Sequence, residues 1–152
     1  MKFILDANVV VSALISRSAD AAPRVLLDAL VDDRYVSLVS PELIAEWREV
    51  LFRPKVQRYH RLQPKDVLAV VDGIERLSEI RRPPPATLAS PDPEDDHLWA
   101  LLESDRDAIL VTGDQLLVDS PIAPGRVITP REAVNRLDEA RSSAGRRALE
   151  DI

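Results

Sequence analysis

Four carboxylates, Asp6, Glu46, Asp95 and Asp114, stand where hydrolytic chemistry could be done. Asp6 ends the short apolar run of residues 3–5, and Asn8 follows two positions later. That pattern reads as a buried strand delivering a carboxylate at its tip. In open α/β sheets, ligands collect beyond the carboxyl ends of parallel strands. Asp6 or Asn8 could equally cap the following helix, because both types accept bonds from free helix N–H groups. The choice depends on whether other acids reach the same place. Asp114 is placed like Asp6: residues 108–112 form an uninterrupted apolar strand, and Gly113 allows a tight turn before the acid. Asp92 and Pro93 start a helix as N-cap and first residue, which puts Asp95 at its third position on the face of Leu98, Trp99 and Leu102. A carboxylate on that inward face is costly unless a metal, a cation or backbone N–H groups receive it. Ser40, Pro41 and Glu42 start another helix, whose apolar stripe is Leu43, Ile44, Trp47, Val50 and Leu51. Glu46 flanks that stripe and wants a cationic partner, unless it is a surface acid paired with Arg53.

The elements that must carry these residues alternate between strands and helices. Strands are expected at residues 3–5, 35–39, 108–112 and 126–129, and either a short strand or an extended connection at 78–82. Helices are expected near 23–31, 41–51, 65–77, from 93 onward and from 130 onward. Such alternation predicts a three-layer α/β/α fold with a central parallel sheet. Right-handed crossovers then bring the strand ends to one edge, so the four acids face one crevice. Residues 1–140 read as one domain, and the charged, alanine-rich residues 141–152 as a frayed tail.

Composition narrows the chemistry. The chain has 152 residues, 45% of them apolar and 30% charged, which suits a soluble domain with a proper core. No apolar run is long enough to span a membrane and no signal peptide is evident, so the cytoplasm is the expected compartment. Cysteine is absent, and His60 and His97 are the only histidines, which argues against zinc. Clustered carboxylates without lysine or arginine in their own motifs call for a divalent cation, and hard oxygen donors select Mg²⁺ or Mn²⁺. The matching chemistry is phosphodiester hydrolysis. A net charge of −6 argues against coating nucleic acid through bulk charge. One local basic stretch, residues 53–65 with Arg53, Lys55 and Arg58, is either an RNA-holding surface or a solvated linker, and composition alone favours the linker.

The same residues resemble the PIN-domain family. Its pattern is matched by Leu5-Asp6-Ala7-Asn8-Val9 with Ser12, Ser40-Pro41-Glu42-Leu43-Ile44-Ala45-Glu46 followed by Arg53-Pro54-Lys55, Asp92-Pro93-Glu94-Asp95-Asp96, and Thr112-Gly113-Asp114. The branch it looks most like is the VapC-like toxins of prokaryotic toxin–antitoxin pairs. The resemblance implies a PIN fold, Mg²⁺- or Mn²⁺-dependent ribonuclease activity and a small antitoxin partner. It assigns metal-site and catalytic roles to Asp6, Glu46, Asp95 and Asp114, with Asn8, Ser12 and Thr112 in support. Many relatives carry a further aspartate just after the last motif. Here Gln115, Leu116 and Leu117 follow and the next acid is Asp119, which implies a second metal held weakly or not at all. A homodimer is also expected, from the resemblance and from Trp47 and Leu51 as apolar residues a small domain would leave uncovered. Two other readings compete: a catalytically dead PIN-like module that only binds a partner, and a receiver-like phosphotransfer domain. The latter needs a lysine at the end of a late strand, and none is in place.

Overall fold

A computed structural model describes residues 1–120 and 125–152. Its centre is a five-stranded, all-parallel sheet in the order β3-β2-β1-β4-β5. The strands are β1 (Lys2–Leu5), β2 (Val36–Val39), β3 (Ser78–Ile80), β4 (Ala108–Val111) and β5 (Val127–Ile128). The piece near residue 80 is thus a true edge strand, pairing Ser37 with Ser78 and Val39 with Ile80. Strand order reverses at β1, which has β2 on one side and β4 on the other. A crevice therefore opens beyond the carboxyl ends of β1 and β4. The order also removes the receiver-like reading, because that fold runs 2-1-3-4-5.

Helices α1 (Ala7–Ile15), α2 (Ala22–Val31), α3 (Pro41–Leu51), α4 (Pro54–His60), α5 (Pro64–Arg76), α6 (Asp96–Ser104), α7 (Gln115–Val118) and α8 (Pro130–Glu150) complete the three layers. Their starts follow local chemistry. Ser40 Oγ accepts the Leu43 N–H at 3.1 Å and Thr129 Oγ1 accepts that of Glu132 at 3.2 Å, each with proline at the first helical position. Phe3, Ile4 and Leu5 of β1, Leu110 of β4 and Trp47 and Leu51 of α3 are fully buried in one core. This corrects the reason given for a dimer, since Trp47 and Leu51 have no surface to offer a second copy. No helix among the described residues is long and apolar enough to cross a membrane.

Two further expectations change. The basic stretch is not an open linker, because α4 occupies its centre. His60 anchors that helix: its Nδ1 accepts the Leu62 N–H at 3.0 Å, so Nε2 carries the proton and donates to the Leu51 carbonyl at 3.0 Å. Composition hides this, since one buried histidine among exposed cations supplies the anchor. At the other end of the chain, α8 runs on as helix to Glu150 through the segment expected to fray, and residues 138–152 are all exposed. Apart from an exposed pair between Asp138 and Arg34 at 3.3 Å, little in the structure supports that half, and its helicity draws mainly on local propensity.

Candidate active site

The register of β1 on β4 builds the site's floor. Leu5 pairs with Val111, so Asp6 and Thr112 leave neighbouring strands side by side, and the Asp6 N–H donates to the Val111 carbonyl at 3.0 Å. Asp6 both caps α1 and lines the crevice. Its Oδ1 accepts the Ala7 N–H at 2.7 Å at the start of α1, while its Oδ2 accepts the Thr112 hydroxyl at 2.8 Å and Asn8 Nδ2 at 3.2 Å. Asn8 also ties down the turn after β4, with its Oδ1 accepting the Gly113 N–H at 3.0 Å. Thr112 Oγ1 accepts the Asp114 N–H at 3.0 Å, and Asp114 Oδ1 in turn accepts the Leu116 N–H at 3.0 Å to start α7. Ser12 lies one turn beyond Asn8 on α1 and is exposed.

Asp95 takes the expected third position after the Asp92 cap and Pro93, in a first turn that is 3₁₀. A one-turn 3₁₀ helix, Pro93–Asp95, precedes α6, and Asp92 Oδ1 caps that turn by accepting the Glu94 N–H at 3.0 Å. Asp95 then stands at the N-cap of α6 with no capping bond from its side chain. Its carboxylate is left for the crevice.

All four acids line one cleft of ≈ 310 Å³, together with Asn8, Ser12, Val50 and Arg53. Lys55 and Arg58 lie outside its lining, exposed on α4, and Asp119 is exposed and holds Gln115 Nε2 at 2.8 Å. Arg53 does not neutralise Glu46; it pairs with Glu49 at 3.1 Å, both side chains exposed. The basic side chain beside Glu46 is His97, with Nε2 2.9 Å from Glu46 Oε2. The contact has ion-pair range but not the alignment of a hydrogen bond, and both Glu46 Oε2 and His97 Nδ1 are buried without a hydrogen-bond partner. Sequence reasoning passed over His97, having weighed histidine only as a zinc ligand. The available signal was its place on the first turn of α6, two residues past Asp95.

Burial dominates the electrostatics. It raises the Asp6 carboxyl above the usual range, opposed by the Thr112 hydroxyl and the Ala7 N–H and assisted by the charge of Glu46. Asp95 is pushed up to about 6, first by burial and then by the charges of Asp6, Glu46 and Asp92. Burial alone would lower His97, but contact with Glu46 and the charges of Glu46, Asp95 and Asp6 outweigh it and raise the imidazole instead.

A pH prediction follows for Asp95 in metal-free protein. With a folded pKa of about 6 against 3.8 for the free side chain, the folded state binds more protons between those values. Stability then falls as pH rises through that window. Asp95→Asn has no such loss, so its stability relative to the parent should climb from pH 4 to pH 6 and level off above 7. Thermal unfolding across that range is the measurement, and a constant difference would show that Asp95 is not so perturbed.

The donor set fits a hard divalent cation: carboxylate oxygens only, one of them buried and without an aligned partner. Among the described residues, however, no three acid or histidine side chains stand together as a set ready to hold a metal ion.

Comparison with known proteins agrees with this layout. An uncharacterised protein of Methanocaldococcus jannaschii, MJ1680, is 27% identical over 118 residues, covering 78% of this chain and 74% of that protein. The crystal structure of PAE2754 from Pyrobaculum aerophilum superposes with a TM-score of 0.59 at 17% identity, covering 91% of this chain and 90% of that one, and so shares the fold. The sequence profile of the PIN domain matches residues 2–116, most of the chain, and the chain therefore belongs to the PIN domain family, whose members are typically nucleases.

Proposed function

We propose that this nuclease-type domain is an endoribonuclease dependent on Mg²⁺ or Mn²⁺, with Asp6, Glu46, Asp95 and Asp114 as its metal-holding and catalytic acids. The observation that carries the reading is their shared cleft at the point where strand order reverses. PIN domains generally use divalent metal ions, and an all-oxygen donor set suits them. When bound, the ion would supply an activated water and stabilise charge on the leaving oxygen.

The chain's own residues do the positioning. Thr112 and the Ala7 N–H hold Asp6 from both oxygens, so its carboxylate cannot swing out of the cleft. Asn8 braces the Gly113 turn that presents Asp114. Ser12, exposed at the cleft wall, offers a hydroxyl to a phosphate or sugar oxygen. Arg53 at the same wall supplies a guanidinium to meet a phosphate, and Lys55 and Arg58 extend the basic surface along α4.

An acidic centre repels a polyanion, so cations beside it must bring the substrate in. Reversing charge at Arg53, Lys55 and Arg58 together should weaken RNA binding and flatten its dependence on salt, since fewer counterions are released. Fluorescence anisotropy with single-stranded RNA over a salt series measures this. Unchanged affinity and slope would leave α4 a purely structural element.

We extend the reading to a toxin held by a small antitoxin protein, supported by the match of four ordered motifs to VapC-like toxins. Co-expression with the product of the neighbouring gene, followed by a growth assay on the chain alone, tests it. The dimer is retained on resemblance alone, with light scattering at micromolar concentrations as its measurement.

A further inference from the structure

We infer that His97 is a latch on Glu46, engaging one oxygen of that carboxylate until a divalent cation takes it. The inference rests on the metal-site reading above. Glu46 lines two cavities: the acid cleft, and a neighbouring one of ≈ 390 Å³ that it shares with Arg53, Glu94 and His97. Its Oε2 is committed to the second, at 2.9 Å from His97 Nε2. The contact holds one of the four cleft acids toward the neighbouring cavity.

The two histidines of the chain make the distinction. His60 is fixed through both ring nitrogens, by the Leu51 carbonyl and the Leu62 N–H, as a structural histidine should be. His97 has only its contact with Glu46, and its Nδ1 is buried with no partner. Releasing Glu46 therefore breaks no other bond of the imidazole. The ring also has room to move, because it forms part of the wall of a third cavity of ≈ 470 Å³, bounded by Pro83, Pro84, Pro85 and Ala100. A contact that is close but poorly aligned, on a ring tethered at one end and bordered by open space, is suited to giving way.

The latch depends on the contact and not on the charge of the ring, since the Nε2-protonated neutral tautomer and the imidazolium both turn an N–H toward Glu46 Oε2. It makes His97 a positioning residue whose effect on metal binding is competitive. Removing a structural brace would weaken binding or leave it alone; removing a competitor strengthens it.

The experiment is calorimetric titration of Mn²⁺ into the parent, His97→Leu, His97→Gln and Asp6→Asn, with circular dichroism confirming that each is folded. His97→Leu should bind Mn²⁺ more tightly, by roughly two- to tenfold, the range one contact of hydrogen-bond strength represents. His97→Gln can keep an N–H against Glu46 and should stay near the parent. Unchanged or weaker binding in His97→Leu overturns the latch, as does equal tightening in His97→Gln, which would make charge the competing factor. Failure of the metal reading looks different: the parent would bind no Mn²⁺, or Asp6→Asn would bind it as the parent does. Asp6-dependent binding in the parent with no gain in His97→Leu defeats the latch alone.

Discussion

Asp6→Asn is expected to reduce RNA cleavage by at least about a thousandfold, several kcal/mol of transition-state stabilisation at 1.36 kcal/mol per factor of ten. The fold should survive. Asn caps a helix as well as Asp, so the bond from the Ala7 N–H persists. On the other oxygen the change removes a charge buried among acids but places an amide where Oδ2 accepts Asn8 Nδ2 and the Thr112 hydroxyl. Lost repulsion and a lost acceptor oppose each other, and metal-free stability should stay within about 1 kcal/mol of the parent. With Mg²⁺ the two proteins should separate, because only the parent gains the stabilisation of binding, about 2.7 kcal/mol at a hundredfold excess over the dissociation constant. Thermal unfolding with and without Mg²⁺, beside a cleavage assay on single-stranded RNA, decides the matter. A variant that cleaves normally and melts with the parent's metal dependence would remove Asp6 from the site.

Trp47→Ala should cause the largest loss of stability, about 3–5 kcal/mol, as expected for truncating a fully buried aromatic ring. The position does two jobs. Its ring fills the contact between α3 and the sheet, and its Nε1–H donates to the Leu5 carbonyl at 3.1 Å, the residue immediately before Asp6. Trp47→Phe keeps much of the volume but not the bond, leaving Leu5 short of a donor at a cost of about 1 kcal/mol. Glu46 precedes Trp47 on the same helix, so both variants should lower cleavage beyond what partial unfolding explains. Urea unfolding gives the stability change, and a Trp47→Ala loss below 1 kcal/mol would mean that α3 closes over the cavity.

The parts of this architecture legible in the sequence are those with local causes. Ser40, Pro41 and Glu42 start α3 by chemistry that needs no tertiary context, and the apolar run before Gly113 could only be an interior strand. Alternation of elements then sufficed to predict a parallel sheet and to gather Asp6, Glu46, Asp95 and Asp114 at one edge. What escaped depends on packing or on a few degrees of backbone. The wheel puts Glu46 at a rim but cannot name its partner, so His97 on another helix went unseen while Arg53, seven residues on, was the natural candidate. Asp95 is the third residue after its N-cap Asp92, as expected, but that first turn is 3₁₀ and α6 starts only at Asp96. The same limit applies to Trp47 and Leu51, whose exposure was misjudged because their cover comes from other elements packed on α3, chiefly α1 and α5.

Central placement of β1 has a consequence for how the protein is made. Its partner β2 follows within the first quarter of the chain, but β4 and the Thr112 hydroxyl that fixes Asp6 lie across a separation of 106 residues. During translation, β1 waits with one edge open until most of the polypeptide has left the ribosome. Parallel pairing over so long a separation is slow, though the entropy of closing the loop grows only logarithmically with its length. A nascent chain stalled before Ala108 holds Asp6, Asn8, Glu46 and Asp95 but neither Asp114 nor the strand that braces Asp6. The cleft that gathers the four acids can therefore be completed only once the chain has been made past Asp114, in its last third.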